Sequence, residues 1–364
     1  MNNTKIKYVT LYWLAIISLI FYLFYLKQLK STDRNQEMEG AELQAARLMV
    51  RAEKLIFSYE QQIGLKPENN RFDLNQTGLI GLEQSPLTTT LGNLEAKRTT
   101  TNPNVAALLV YLLKKAGVKR GDTVALGASG SFPALILASI CAAQALEADI
   151  LIIASLGASQ WGANNPNFTL LDLEEGLRFT GFNPHRFLAV SWGGEDDSGK
   201  EFPTALKIKL REKAAKLKIY FLEPKELREM VREHMSIYEN SAGGKITAFI
   251  NAGGSLVNLG RDSSVLELPP GLTTVKKIPP PQSRGLIQEM AASGIPVIHL
   301  LNIRGLARRY GLPWDPQPLP RPGEGINWTD GKWNKLKAAI SFSFYILTML
   351  VAALILSFIH KKRG

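Results

Sequence analysis

TVALGASGSFPALIL, residues 123–137, holds three pieces in succession. A short apolar run over 123–126 suits a buried strand. Gly127, Ala128, Ser129, Gly130 and Ser131 follow as a turn of small residues. An almost uniformly apolar helix then runs over 132–146, with Pro133 near its start, where a helix has N–H groups to spare. Strand, tight turn and buried helix is the unit with which α/β proteins hold an anion or a reacting group, because N–H groups and the positive end of the helix dipole converge there. The same residues also suit a purely structural turn, with Ser131 as the helix cap.

The pattern repeats on both sides. Strands are predicted over 149–154, 187–191, 218–222, 246–250, 272–278 and 296–301, and helices over 104–116, from Thr169, and over 202–217, 224–238 and 283–293. This alternation predicts an α/β domain with a doubly wound, mostly parallel sheet. Ligands gather at the carboxyl ends of the strands in such sheets. That rule singles out four loops: 127–131, 155–167, 251–255, and Asn302 with Arg304. The candidate ligand-binding residues are Gly127, Ser129, Gly130, Ser131, Ser159, Asn164, Asn165, Asn251, Gly253, Gly254, Ser255, Asn302 and Arg304. Most are neutral donors, suited to a carboxylate or an amide.

Further out, residues 8–26 (YVTLYWLAIISLIFYLFYL) form an uncharged run about long enough to cross a bilayer. No small-residue cleavage site follows, so it reads as an uncleaved signal anchor. Residues 338–359 form a second run, with Trp328 and Trp333 before it and Lys361, Lys362 and Arg363 after it. The chain therefore divides into a transmembrane helix at 8–26, a juxtamembrane amphipathic helix at 37–64, an α/β domain at 65–310, a proline-rich return at 311–337 and a transmembrane helix at 338–359. Residues 67–103 read as a long ordered loop or a cover for a sheet edge. Its Lys97–Arg98 pair is able to meet carboxylates or phosphates. Two spans put both termini on one side. The flanking positive charges nearly cancel, and the N-terminal anchor favours cytoplasmic tails with the domain outside the cytoplasmic membrane.

The 364 residues carry a formal charge of +11, which points to a polyanion or an anionic surface. No zinc spacing, ribonucleoprotein motif or basic recognition helix supports nucleic acid as a partner. The one cysteine, Cys141, lies in the apolar helix and excludes an intramolecular disulfide. No phosphate-binding P-loop and no full dinucleotide fingerprint occurs, so no cofactor is expected. The acidic run Glu195 to Asp197 is the one acidic cluster near a strand end, and no metal is expected there. Asp172, Glu174 and Glu175 fit the positive end of their helix better than a catalytic role. Ser129 sits where an elbow nucleophile would, yet GASGS departs from G-x-S-x-G at its last position. Of the histidines, only His299 falls near a strand end in suitable chain order, and it reads as lying within the strand. His185, His234 and His360 read as helix-end, surface or membrane-proximal residues.

Three long and unusual stretches, SPLTTTLGNLEAKRTTTNPN (85–104), GASGSFPAL (127–135) and GASQWGANNPNFTLLDLE (157–174), together with the apolar run at each end, resemble a family of poly-gamma-glutamate system proteins. The resemblance covers nearly the whole chain. It implies a bacterial cell-envelope component that helps to make, export or retain the anionic polymer of a capsule. The implied partners are poly-gamma-glutamate or a glutamyl precursor, other membrane subunits of the same system, and the lipid bilayer. It supplies no catalytic residues. Two readings follow: a membrane-anchored protein that binds or guides the polymer, or a serine-dependent hydrolase or transferase acting on gamma-glutamyl bonds through Ser129.

Overall fold

Thr123–Ser129 (β1) is buried at every position and forms the centre of a seven-stranded sheet. In the computed structural model, which describes residues 12–13, 15–23, 40–182, 187–324, 339–351 and 353–354, the other strands are Asp149–Ser155 (β2), Phe187–Ser191 (β3), Tyr220–Phe221 (β4), Ile246–Ala252 (β5), Gly271–Thr273 (β6) and Val297–His299 (β7). Their order is β6-β7-β5-β1-β2-β3-β4. All neighbours are parallel except the edge strand β6, which runs antiparallel to β7. The expected α/β class with a mostly parallel sheet is what the chain adopts.

The winding reverses once. From β1 the chain steps outward through β2, β3 and β4, then returns to place β5 on the opposite side of β1. Crossover connections at β1 and β5 therefore leave in opposite directions. The gap between the carboxyl ends of these two strands is the topological switch point, where open α/β sheets take ligands.

Helices cover both faces. They are Ala41–Gln62 (α1), Leu94–Thr100 (α2), Asn104–Lys115 (α3), Pro133–Leu146 (α4), Leu170–Phe179 (α5), Thr204–Lys216 (α6), Leu227–Ser241 (α7), Leu256–Leu259 (α8), Leu286–Ala292 (α9) and Ile303–Tyr310 (α10). On one face Ala125, Ile153, Ala189 and Phe249 pack against side chains of α7, α8 and α9. On the other, α4 contacts β1, β2 and β5 and is itself covered by α1 and α3. That double cover explains why α4 has no polar side: twelve of its fourteen residues are buried.

Several expectations change in detail. β1 continues through Ser129, so Gly127 is a strand residue and not part of the turn. A side chain there would meet Asn258 Oδ1 at 2.6 Å and the Phe249 ring at 2.8 Å. Residues 67–103 are not a plain loop: Thr88–Thr90 pairs in parallel with Ala158–Ser159, and α2 follows. Nor does residue 311 onward leave the domain as a free linker. Asp315 pairs with Arg98, Pro316 accepts from Asn75, and Arg321 and Glu324 accept from Asn104. The α/β unit runs over Met38–Ile326, so both α1 and the described part of the proline-rich segment belong to it. Residues 325–337 lie outside the described residues.

Met1–Glu37 and Asn327–Gly364 form a separate unit. Its described parts include helix at 15–23 and at 339–351. Phe21 lies 5.9 Å from Phe344 and 5.2 Å from Tyr345, and the Ser18 and Tyr345 hydroxyls are 2.9 Å apart. Among the described residues no helix is long and apolar enough to cross a membrane. The remaining residues of both expected spans, and His185, lie outside the described residues.

Candidate functional site

The carboxyl ends of β1, β2, β3, β5 and β7 border one cavity of about 810 Å³. Ser129 and Ser131 enter from the turn after β1, and Ser155, Gly157 and Ser159 from β2 and its loop. Gly193, Gly194 and Glu195 come from beyond β3. Gly254 and Ser255 come from beyond β5, and Leu301, Asn302 and Arg304 from beyond β7. All four loops singled out from the sequence meet here. Five adjacent strands at about 4.8 Å spacing make a crevice roughly 19 Å wide at its floor.

The wall opposite the sheet comes from 89–97, with Thr89, Thr90, Asn93 and Lys97 facing the cavity, and from Trp314. Arg304 lies over the Trp314 ring, 4.8 Å from its centre. Glu195 and Glu201 border the β3 end. The charges are therefore separated, with carboxylates beyond β3 and an exposed guanidinium beyond β7. Apart from Lys97, the rest of the lining is uncharged.

Close nesting of the loops builds this shape. Gly130 donates to the Ser155 carbonyl at 2.8 Å, and its own carbonyl accepts from Ala163 at 2.7 Å. A Cβ on Gly130 would stand 2.8 Å from the Leu156 carbonyl oxygen. Gly253 has φ 133°, and a Cβ there would collide with the Ser129 hydroxyl. At these two positions only glycine lets the β1 turn approach its neighbours. Beyond β3, the buried Asp197 accepts from Ser191 Oγ at 2.9 Å and from the Gly193 N–H at 2.6 Å. Burial pushes its carboxyl up to about 6 against those two bonds.

Not every candidate reaches the cavity. Asn164 is fully buried and works as a bracket: its Nδ2 donates to the Leu82 carbonyl and to Thr88 Oγ1, each at 2.8 Å, and its Oδ1 accepts from the Leu82 N–H at 2.8 Å. Asn165 borders a different cavity, of about 400 Å³, shared with Glu60 and Asp73. Asn251 lies beneath the floor, donating to the Gly253 carbonyl at 3.0 Å and to His299 Nδ1 at 3.2 Å. Gly127, Gly130 and Gly253 shape the floor from below.

Ser129 has no base. Its Oγ accepts a long bond, 3.4 Å, from the Ser131 N–H. His299 is buried in β7 and turned to Asn251, and burial lowers its imidazole to about 4. Since Nδ1 accepts from Asn251, the ring proton sits on Nε2. In the described geometry Ser129 is thus a hydrogen-bonding hydroxyl at the floor that His299 does not reach.

The residue that the sequence left outside the site is Lys97. Its side chain is 2% exposed. The amine lies 2.6 Å from Ser159 Oγ, bonds the Ser131 carbonyl and stands 3.8 Å from the centre of the Phe132 ring. Burial lowers it to about 7. Ser159 in turn donates its N–H to Ser131 Oγ at 3.0 Å.

No family model, curated protein or solved structure matches this chain.

Proposed function

We propose that this protein is a membrane-anchored component of a poly-gamma-glutamate synthesis or export system, and that the switch-point crevice holds the polymer or its glutamyl precursor. The observation that carries the reading is the convergence of the strand-end loops on one elongated, mostly neutral crevice. A γ-linked residue adds two methylenes to the roughly 3.5 Å backbone repeat of an α-linked one, giving about 6 Å, so the floor accommodates about three residues. Serine hydroxyls and backbone groups suit the repeating amides. Arg304 suits a pendant carboxylate, and Glu195 and Glu201 suit the ammonium of a glutamyl unit or a chain end.

The anchor reading is supported by the terminal unit. Tyr12, Trp13, Leu19, Phe344, Leu350 and Leu354 are all exposed on it, an apolar surface that water does not favour and lipid does. With residues 8–26 and 338–359 in the bilayer, the domain stands on the outer side of the cytoplasmic membrane, beside the other membrane subunits of the system.

The test is competition binding by the full chain in detergent micelles, with fluorescent γ-linked glutamate oligomers as the probe and α-linked oligomers of equal charge as competitors. A site that reads amide spacing prefers the γ-linked chain at least tenfold, and Arg304→Ala weakens it three- to tenfold. Equal affinity for both polymers would reduce the crevice to a basic surface and sink the proposal.

A further inference from the structure

Lys97 is placed as a base and not as a counter-ion. Among the described residues no carboxylate pairs with it, and an unpaired buried ammonium is costly. As an ammonium, Nζ donates to the Ser131 carbonyl and to Ser159 Oγ at 2.6 Å and lies over the Phe132 ring. As a neutral amine it keeps two protons for the carbonyl and the ring face and turns its lone pair to the Ser159 hydroxyl, so the same placement serves both protonation states. Burial, which lowers the amine to about 7, keeps both forms populated near neutral pH.

Ser159 is held just as firmly. It lies in the two-residue strand Ala158–Ser159, which pairs with Thr88–Thr90, and its N–H is bound to Ser131 Oγ. The residue is 7% exposed and borders the cavity. A hydroxyl oriented by an amine, at the rim of a cavity and away from bulk water, is the arrangement of an activated nucleophile.

We propose that Ser159 and Lys97 form a nucleophile–base pair that performs acyl transfer on an amide or ester carbonyl bound in the crevice. Ser159 Oγ attacks the carbonyl carbon while its proton passes to Lys97 Nζ. The carbon–nitrogen bond of an amide then breaks, and the leaving amine takes that proton from Lys97, leaving an ester on Ser159. Water, or the amine of another chain, attacks the ester and gives its proton to Lys97. Lys97 returns that proton to Ser159 Oγ as the ester bond breaks. Only the identity of the acyl group, a γ-glutamyl one, rests on the function proposed above; the pair itself does not.

A fluorophosphonate tests the pair without any polymer. Ser159 Oγ displaces fluoride from phosphorus, and Lys97 accepts the proton. The full chain in detergent micelles is treated with the probe, and the adduct is located by peptide mass spectrometry. The expected result is an adduct on Ser159 that is abolished in Ser159→Ala and formed at least 100-fold more slowly in Lys97→Met, the lower end of general-base contributions. In wild-type protein the labelling rate should fall about tenfold per pH unit below neutrality. An adduct on Ser129 instead, no adduct at all, or a Ser159 rate that ignores Lys97→Met overturns the pair. Should Lys97→Met fail to fold by circular dichroism, the wild-type profile decides: a rate flat from pH 6 to pH 9 overturns it. Polymer binding is measured separately. Ser159 labelling without γ-selective binding removes the proposed function and leaves the pair standing.

Discussion

Glu60 in α1 gives the sharpest test of the electrostatics. It is 8% exposed, borders the smaller cavity and faces the Asp73 carboxylate. Asp73 accepts from the N–H groups of Thr77 and Gly78 at 2.8 and 2.7 Å and from the Thr77 hydroxyl at 3.0 Å. Burial first, and the Asp73 charge second, raise Glu60 from 4.5 to about 8. The folded chain thus keeps a proton that the unfolded chain releases. The stability this group contributes is fully present below pH 4.5 and is lost as pH rises through about 8. Each unit in that window costs about 1.4 kcal/mol, or roughly 5 kcal/mol in total as an upper limit, because relaxation of the site shrinks the shift. Glu60→Gln has no proton to lose. About 1 kcal/mol of the wild-type contribution is already lost at pH 5, so the variant's stability relative to wild type should rise between pH 5 and pH 9 by about 2–4 kcal/mol. Any fixed cost of the amide is the same at both pH values and cancels in the difference. Urea titrations of the full chain in micelles, followed by tryptophan fluorescence, measure it. A difference between the two proteins that is the same at pH 5 and pH 9 would refute the reasoning.

Three further outcomes are expected. Asn164→Ala removes three hydrogen bonds from a fully buried bracket and should destabilise the fold by about 2–3 kcal/mol, with faster proteolysis of residues 79–92 as the direct readout. The bidentate pair between Arg98 and Asp315, with distances of 2.6 and 2.5 Å and both side chains largely buried, should show a coupling of about 2 kcal/mol in a double-mutant cycle of Arg98→Ala and Asp315→Ala. Gly244 has open space around its Cα and lies on the surface, while the native Cys141 is buried, so Gly244→Cys in intact cells should react with a membrane-impermeant maleimide if the domain faces outward. Reaction only after lysis places the domain inside.

The sequence made the central sheet readable because its signals are local. Residues 123–137 keep an apolar run, a turn and a second apolar run in order, and the capping pair of Thr169 and Asp172 marks α5 directly. Three helices, α2, α8 and α10, were not read from the sequence. In α2 the sequence LEAKRTT buries Lys97, Thr99 and Thr100, so no apolar period exists to be read. Its threonines bond back to the carbonyls of Glu95 and Lys97, and Asn93 caps its start. The asparagine three residues before a helical N–H was the available signal, and it recurs at Asn302, which caps α10 through Gly305. Asn164 and Asn251 misled for the opposite reason. Asparagine beside a strand end looks like a ligand donor, but here its amide satisfies backbone groups that no regular ladder reaches.

Lys97 shows where reading a chain locally stops. Its two oxygen partners, Ser131 and Ser159, stand 34 and 62 residues away, on turns after different strands. The sequence around position 97 shows only a basic pair, Lys97–Arg98, in a chain with 43 lysines and arginines. What sets Lys97 apart arises only when the switch point brings the β1 turn, the β2 loop and the 88–100 segment together. The same convergence takes water from the amine and sets a hydroxyl beside it. The overall charge and the reactive amine therefore serve separate purposes. The first acts at a distance and is screened by salt. The second acts across one hydrogen bond in a dry wall, where added salt changes little and pH changes much.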